Sequence, residues 1–307
     1  MQKEKIYNYL EQNINSLQSN GKLSFSLAEL RNEFSSYSLD AIKLSLNRLS
    51  KKGKIVSVYK GFYVIIPPEY SQRKILPPKL FLDSLFKYLD RPYYLSLLSA
   101  AAMHGASHQQ AMESYVFINK PPIRPTKVEG IKINYVIKSE FPEHGLEQRK
   151  TAAGYLNISG PELTALDLVE YQQRVGGLNR ISTIIYELSE SMQPEKLKLV
   201  LQNKVSLSAI QRLGYILSKS IALRDVALDK SESIPVHPGK EISSQPEASR
   251  FLGSASGGDE PLAQVLKNYL SGKKIFRVPL KPGIKKSNFP VNPDWKIIEN
   301  YKIETDF

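Results

Sequence analysis

The chain has 307 residues, 41% of them hydrophobic, which suggests two or three domains with sizeable cores. Its formal net charge of +12 points to a polyanionic partner more readily than to an acidic small molecule. It holds no cysteine, which excludes a disulfide framework and a thiolate zinc site, and no run approaches the ~18 apolar residues of a membrane span. The opening MQKEKIYNYLEQ lacks an apolar signal region, so the expected location is the cytoplasm.

Residues 2–18 predict a first helix, with Ile6, Leu10, Ile14 and Leu17 on one face and Ser19-Asn20-Gly21 as its break. A short strand is expected next. Ser26-Leu27-Ala28-Glu29 is a capping box that opens a short helix burying Leu27, Leu30 and Phe34. Ser35-Ser36-Tyr37 then turns into an N-cap at Ser38. In the helix that follows, Leu39, Ile42, Leu46 and Leu49 recur at i, i+3, i+7 and i+10 and form an apolar stripe. The opposite side carries Asp40, Leu44, Asn47, Arg48 and Lys51, flanked by Lys43 and Lys52. Gly53 suits a left-handed C-terminal turn. Beyond it the period changes, and Ile55–Tyr59 and Phe62–Ile66 predict a hairpin about Lys60-Gly61.

From Lys43 to Lys60 there are six basic residues and no acidic one. A lysine-rich helix face is often only a solvated surface. Following helix, strand, helix and turn, and preceding a hairpin, it reads instead as the recognition helix of a winged helix-turn-helix. A winged helix that docks proteins is the alternative, and it would not need the basic stripe. Lys43 and Asn47 are the candidates for base edges, since Asn pairs with adenine and Lys with guanine. Arg48, Lys51 and Lys52 are assigned to phosphates, with Ser38 at the helix entry and Lys54, Tyr59 and Lys60 as wing contacts.

The connection PPEYSQRKILPPK is proline-rich, is expected to form neither a central strand nor a helix, and predicts a domain boundary. The expected organisation is α+β: an N-terminal winged helix over 1–67, a linker over 68–79 and a larger mixed α/β domain over 80–307. In the larger domain the predicted helices are Lys79–Leu89, the alanine run ended by Gly105, Glu162–Tyr171, Leu178–Met192, Leu197–Leu201 and Leu207–Leu217. The predicted strands are 115–118, 131–137, Lys274–Leu280 and Trp295–Ile303. The Ser-, Pro-, Gly- and Glu-rich stretch 229–260 reads as a flexible insertion.

Four stretches resemble a known family. PYYLSLLSAAAMHGASHQQ with the preceding ILPPKLFLDSLFKYLDR, ISGPELTALDLVEYQQRVGGLNRISTIIYEL, and QRLGYIL with the terminal DWKIIENYKIETDF are similar, in order, to the AbiEi abortive-infection family of type IV antitoxins. The resemblance implies a bacterial regulator that binds inverted repeats upstream of its own operon through the N-terminal domain and represses it. It further implies a C-terminal domain that counteracts a nucleotidyltransferase toxin without a stable complex. Such a protein would be a monomer or weak dimer in solution, with several copies on DNA, no enzymatic activity and no membrane partner.

The residues themselves give little for an enzyme. His104 and His108 are spaced for metal ligands, but Gly105 lies between them and no glutamate follows in the zinc-protease pattern. Helix-end packing and capping is the reading adopted, with no metal and no cofactor expected. Leu252-Gly253-Ser254 with Asp259 lacks the second aspartate of a nucleotidyltransferase motif. Asp167 reads as a structural hydrogen-bonder rather than a catalytic base. A second basic region runs from Lys267 to Lys302, with nine basic residues against Asp294 and Glu299. It includes Lys273, Lys274, Arg277, Lys281, Lys285 and Lys286. It is either a solvated surface or a nucleic-acid surface, for extra DNA phosphates or for RNA. Direct contact with a toxin, without sequence-specific DNA binding, and a cryptic nucleic-acid enzyme are the competing functional readings.

Overall fold

A computed structural model describes residues 2–71, 76–106, 113–128, 130–232, 261–285 and 287–304. The chain forms two compact units, Met1–Leu168 and Val169–Phe307.

The first unit begins with α1 (Gln2–Ser19), β1 (Ser24–Ser26), α2 (Leu27–Glu33), α3 (Leu39–Lys51), β2 (Ile55–Tyr59) and β3 (Phe62–Ile65). The capping box forms: Glu29 N donates to Ser26 Oγ at 3.1 Å and Ser26 N to Glu29 Oε2 at 2.6 Å. The Ser38 hydroxyl accepts from Ala41 N at 3.3 Å and so starts α3. The three strands pair antiparallel in the order β1-β3-β2. Ile6, Leu10 and Ile14 of α1, Leu30 of α2, and Ile42, Leu46 and Leu49 of α3 bury against Phe25, Ile55 and Ile65.

The hairpin has a second buried face. Along β3, Tyr63 and Ile65 face the helices, whereas Phe62 and Val64, with Val56 and Val58 of β2, enter a second core shared with Leu80, Phe81 and Leu85. The proline-rich connection is therefore not where the compact units divide. It holds one helical turn that was not expected, α4 (Pro68–Ser71), and runs into a 3-10 turn over Pro78–Leu80, where Pro78 was expected to open the helix that reaches Leu89. Leu76 of this stretch and Leu80 just after it are buried in the second core, which ties the connection to the body.

After α5 (Leu82–Leu89), six strands form one sheet: β4 (Tyr93–Ser96), β5 (Ser114–Ile118), β6 (Thr126–Val128), β7 (Ile131–Ile137), β8 (Leu146–Thr151) and β9 (Gly154–Ser159). Their order is β6-β7-β5-β4-β9-β8, with β4/β9 and β5/β7 parallel and the other pairs antiparallel. α6 (Leu97–Met103) follows β4, and α7 (Pro161–Glu170) follows β9. β5 and β7 were foreseen. β4 was not, because all four of its residues are buried and it has no polar alternation to read. β8 was missed for the opposite reason: its Gln148, Arg149 and Lys150 are exposed at the sheet edge, where charges discourage further pairing.

The second unit holds α8 (Leu178–Ser189), α9 (Pro194–Val200), α10 (Leu207–Glu232), α11 (Leu262–Leu270) and three two-residue strands. These are β10 (Val278–Pro279), β11 (Val291–Asn292) and β12 (Ile297–Ile298), in the order β10-β12-β11. The long terminal strands expected over Lys274–Leu280 and Trp295–Ile303 shrink to these short pairings. Pro279 inside β10 and prolines at 282, 290 and 293 around the strands withhold ladder donors. α10 continues through Glu232, so the expected insertion at 229–260 begins inside a helix; its remainder lies outside the described residues. α11 was not foreseen.

Within this unit the QRLGYIL stretch holds the C-terminal segment. Gln211 Nε2 donates to the carbonyls of Phe276 (3.0 Å) and Trp295 (2.8 Å), and Arg212 Nε to that of Pro279 (3.0 Å). The Tyr215 hydroxyl donates to Glu299 Oε1 at 2.9 Å; burial, then Glu299, pushes its pKa up and keeps it a donor. Asn300 closes the segment by bonding both the N–H and the carbonyl of Lys281 at 3.0 Å. Among the described residues no helix is long and apolar enough to cross a membrane.

Candidate nucleic-acid interface

The amphipathic pattern of α3 sorts its side chains cleanly. Ile42, Ser45, Leu46 and Leu49 are buried, while Asp40, Lys43, Leu44, Asn47, Arg48 and Lys51 are exposed. Lys43, Asn47, Arg48 and Lys51 thus share one water-facing side of a helix whose start is fixed by the Ser38 cap. That cap commits the Ser38 hydroxyl to the backbone of Ala41. Leu44 stands in the middle of this polar side and is 41% exposed.

The flanking residues are more constrained than the sequence suggested. Lys52 lies over the Tyr7 ring, 4.7 Å from its centroid, and its hydrogen bond to Tyr7 raises its pKa. Lys54 does not reach the hairpin tip: it sits at the α3–β2 junction and pairs with Glu11 of α1. The bond from Lys54 holds the Glu11 carboxyl below its ordinary range. The stabilisation from that pair is therefore complete above the ordinary glutamate pKa and fades as pH falls through the lowered one. Tyr59 is half-buried and packs on the second core. Of the three expected wing contacts, only Lys60 is exposed.

The tip carrying Lys60 is held from three sides. Leu27 N donates to Gly61 O at 2.8 Å, the Tyr88 hydroxyl to Lys60 O at 3.2 Å, and Thr126 Oγ1 to Val58 O at 3.3 Å. Gly61 sits at φ +75°, and a Cβ there would come within 2.9 Å of the Tyr88 hydroxyl. Gly61→Ala is expected to loosen the tip and lower stability by about 1 kcal/mol or more, read by thermal denaturation.

Elsewhere in the first unit the strongest polar cluster is buried. Asp167, 1% exposed, accepts from Lys138 Nζ (2.9 Å), Ser96 Oγ (2.9 Å) and the Tyr94 hydroxyl (3.2 Å). Ser159 Oγ donates to Ser96 Oγ at 3.0 Å, and Thr164 Oγ1 donates to the Ser159 carbonyl at 3.1 Å. The Thr164-Ala165-Leu166-Asp167 stretch thus ties α7 to β4 and β9, which agrees with the structural reading of Asp167. Lys138 was missed; it lies 29 residues away in sequence, and only the sheet brings it there. His104 ends α6 with Nε2 at 2.8 Å from the Ser159 carbonyl, and its Nδ1 accepts from Arg149 at 3.0 Å. Both ring nitrogens are engaged in packing interactions. His108, Gly253, Ser254 and Asp259 lie outside the described residues. No group of three or more His, Asp or Glu that could hold a metal occurs among the described residues.

In the second unit Lys273, Lys274, Arg277 and Lys285 are exposed and Lys281 is half-buried, while Lys286 lies outside the described residues. Aromatic rings interleave with them. Lys273 Nζ is 3.2 Å from the Tyr269 ring centroid, Lys274 Nζ is 5.5 Å from that of Phe276, and Lys281 Nζ is 4.0 Å from that of Tyr301.

The fold has a solved relative. The crystal structure of the RV2827C protein from Mycobacterium tuberculosis is similar with a TM-score of 0.60 and 15% identity, covering 94% of this chain and 90% of that one. Residues 94–219 match the AbiEi antitoxin C-terminal domain, and this segment belongs to that family. The match takes in the alanine run, the Thr164–Asp167 stretch and QRLGYIL, but not the terminal DWKIIENYKIETDF. No curated protein matches the chain.

Proposed function

We propose that this protein is a type IV antitoxin that represses its own operon through an N-terminal winged helix, and whose AbiEi domain counteracts a nucleotidyltransferase toxin without a stable complex. The observation that carries the DNA-binding part is the outer side of α3, where Lys43, Asn47, Arg48 and Lys51 are exposed together on a capped helix followed by a fixed hairpin. A helix of this kind lays its N-terminal half against base edges and its remaining cations against phosphates. Lys43 and Asn47 read bases; Arg48, Lys51 and Lys60 hold the backbone. Lys52 and Lys54, engaged by Tyr7 and Glu11, contribute field rather than contacts. The antitoxin part rests on the family of residues 94–219. In this reading the protein works in the cytoplasm on double-stranded inverted repeats, needs no cofactor and catalyses no reaction. It is a monomer or weak dimer off DNA and is present in several copies on it.

Paired substitutions test the division of roles. Lys43→Ala should cost about 1–3 kcal/mol on the operator and relax discrimination. Lys51→Ala should weaken operator and scrambled duplex about equally and lower the salt slope by roughly one. Equal loss of discrimination in both variants would defeat the assignment.

A further inference from the structure

We propose that the second unit carries a stacking platform for single-stranded nucleic acid, centred on Phe276. This inference does not rest on the operator-binding role of α3. Phe276 is 67% exposed, the most exposed of the large apolar side chains among the described residues. Its backbone is nevertheless fixed. Its carbonyl accepts from the buried Gln211, Lys296 Nζ donates to the Ile275 carbonyl at 3.3 Å, and two residues on, Val278 pairs with Ile297. A ring carried on a fixed backbone costs little main-chain freedom when a base stacks on it.

The charges around the ring suit the backbone of the same strand. Lys273, Lys274 and Arg277 adjoin Phe276, and Lys296 reaches the preceding carbonyl. The two acids of the region are occupied: Asp294 pairs with Lys267 at 3.6 Å, and Glu299 accepts from Tyr215. Among the described residues, Lys273, Lys274, Arg277 and Lys285 make no ion pair. Cations alone would serve any polyanion. The exposed ring discriminates, because duplex bases already stack on one another, whereas a single strand offers its faces. Tyr269, under Lys273, adds a second ring to the same cations.

The test uses the full chain carrying Lys43→Ala, Arg48→Ala and Lys51→Ala, which takes the exposed cations from α3. Binding of a fluorescent single-stranded RNA of about 12 nucleotides is compared with a duplex of the same length by anisotropy. The single strand should bind at least tenfold tighter than the duplex. Phe276→Ala should remove about tenfold of that affinity, and Phe276→Trp should restore it. Arg277→Glu should weaken binding and flatten its salt dependence. Circular dichroism should be unchanged in all variants, since both side chains are exposed. Equal binding of single strand and duplex, or Phe276→Ala binding as tightly as its parent, overturns the proposal.

Discussion

Replacing Asp167 by alanine should lower the stability of the protein by about 3–5 kcal/mol, the range for breaking a buried ion pair from one side. The carboxylate is 1% exposed and accepts from Lys138, Ser96 and Tyr94. Its removal takes the acceptor from all three donors at once, in a region where water does not readily replace it. An exposed pair of the same geometry would be worth at most about 1 kcal/mol. Urea denaturation separates the two cases. Exchanging both charged partners, Asp167→Leu with Lys138→Met, should recover much of the loss, because an apolar pair of similar volume no longer needs desolvated charges. A loss below about 1 kcal/mol in Asp167→Ala would contradict the account of how α7 is fastened.

The second large effect is expected at Gly214, inside α10. Glycine to alanine in an exposed helix gains about 1 kcal/mol of helix propensity. Here the sign should reverse, because a Cβ on Gly214 would lie 2.1 Å from a ring carbon of Trp295. The indole is 1% exposed and held by a bond from Nε1 to Ser218 Oγ at 3.1 Å, so it cannot give way cheaply. Gly214→Ala should cost about 3 kcal/mol or more, at or above the upper end of overpacking effects. Trp295 is the sole tryptophan of the chain, so its fluorescence reports the site directly. The variant should emit further to the red and unfold at lower denaturant. Gly214→Ala combined with Trp295→Leu should recover part of the loss. Unchanged emission and stability in Gly214→Ala would mean the helix and the indole are not in contact.

These two sites mark what the sequence could and could not disclose. The first 66 residues were readable because each element carries a local signal: the capping box at Ser26, the cap at Ser38 and the change of period after Gly53. α3 sorts its residues as its spacing requires, and Lys43, Asn47, Arg48 and Lys51 come together on one side for that reason. Long-range pairings left no such trace. Nothing local in Lys54 points to Glu11, or in Lys138 to Asp167, and Gly214 reads as an ordinary helix glycine until Trp295 is set against it. The division of the chain was misread for a related reason. The proline-rich connection has the composition of a linker, but β3 alternates residues into two cores, so the stretch after it lies inside a compact unit. β4 and β8 escaped because one is buried on both faces and the other is mostly exposed, and each lacks the alternation that marks a half-buried strand.

Operator binding by α3 is the function on which the proposed repression depends. Its most direct test is fluorescence anisotropy of the purified full chain on the duplex upstream of its own operon, against a scrambled duplex, at several salt concentrations. A preference of at least about 10³-fold for the upstream duplex is expected, with log affinity falling steeply against log salt. Equal, weak binding to both duplexes would contradict it and leave the basic side of α3 as surface charge.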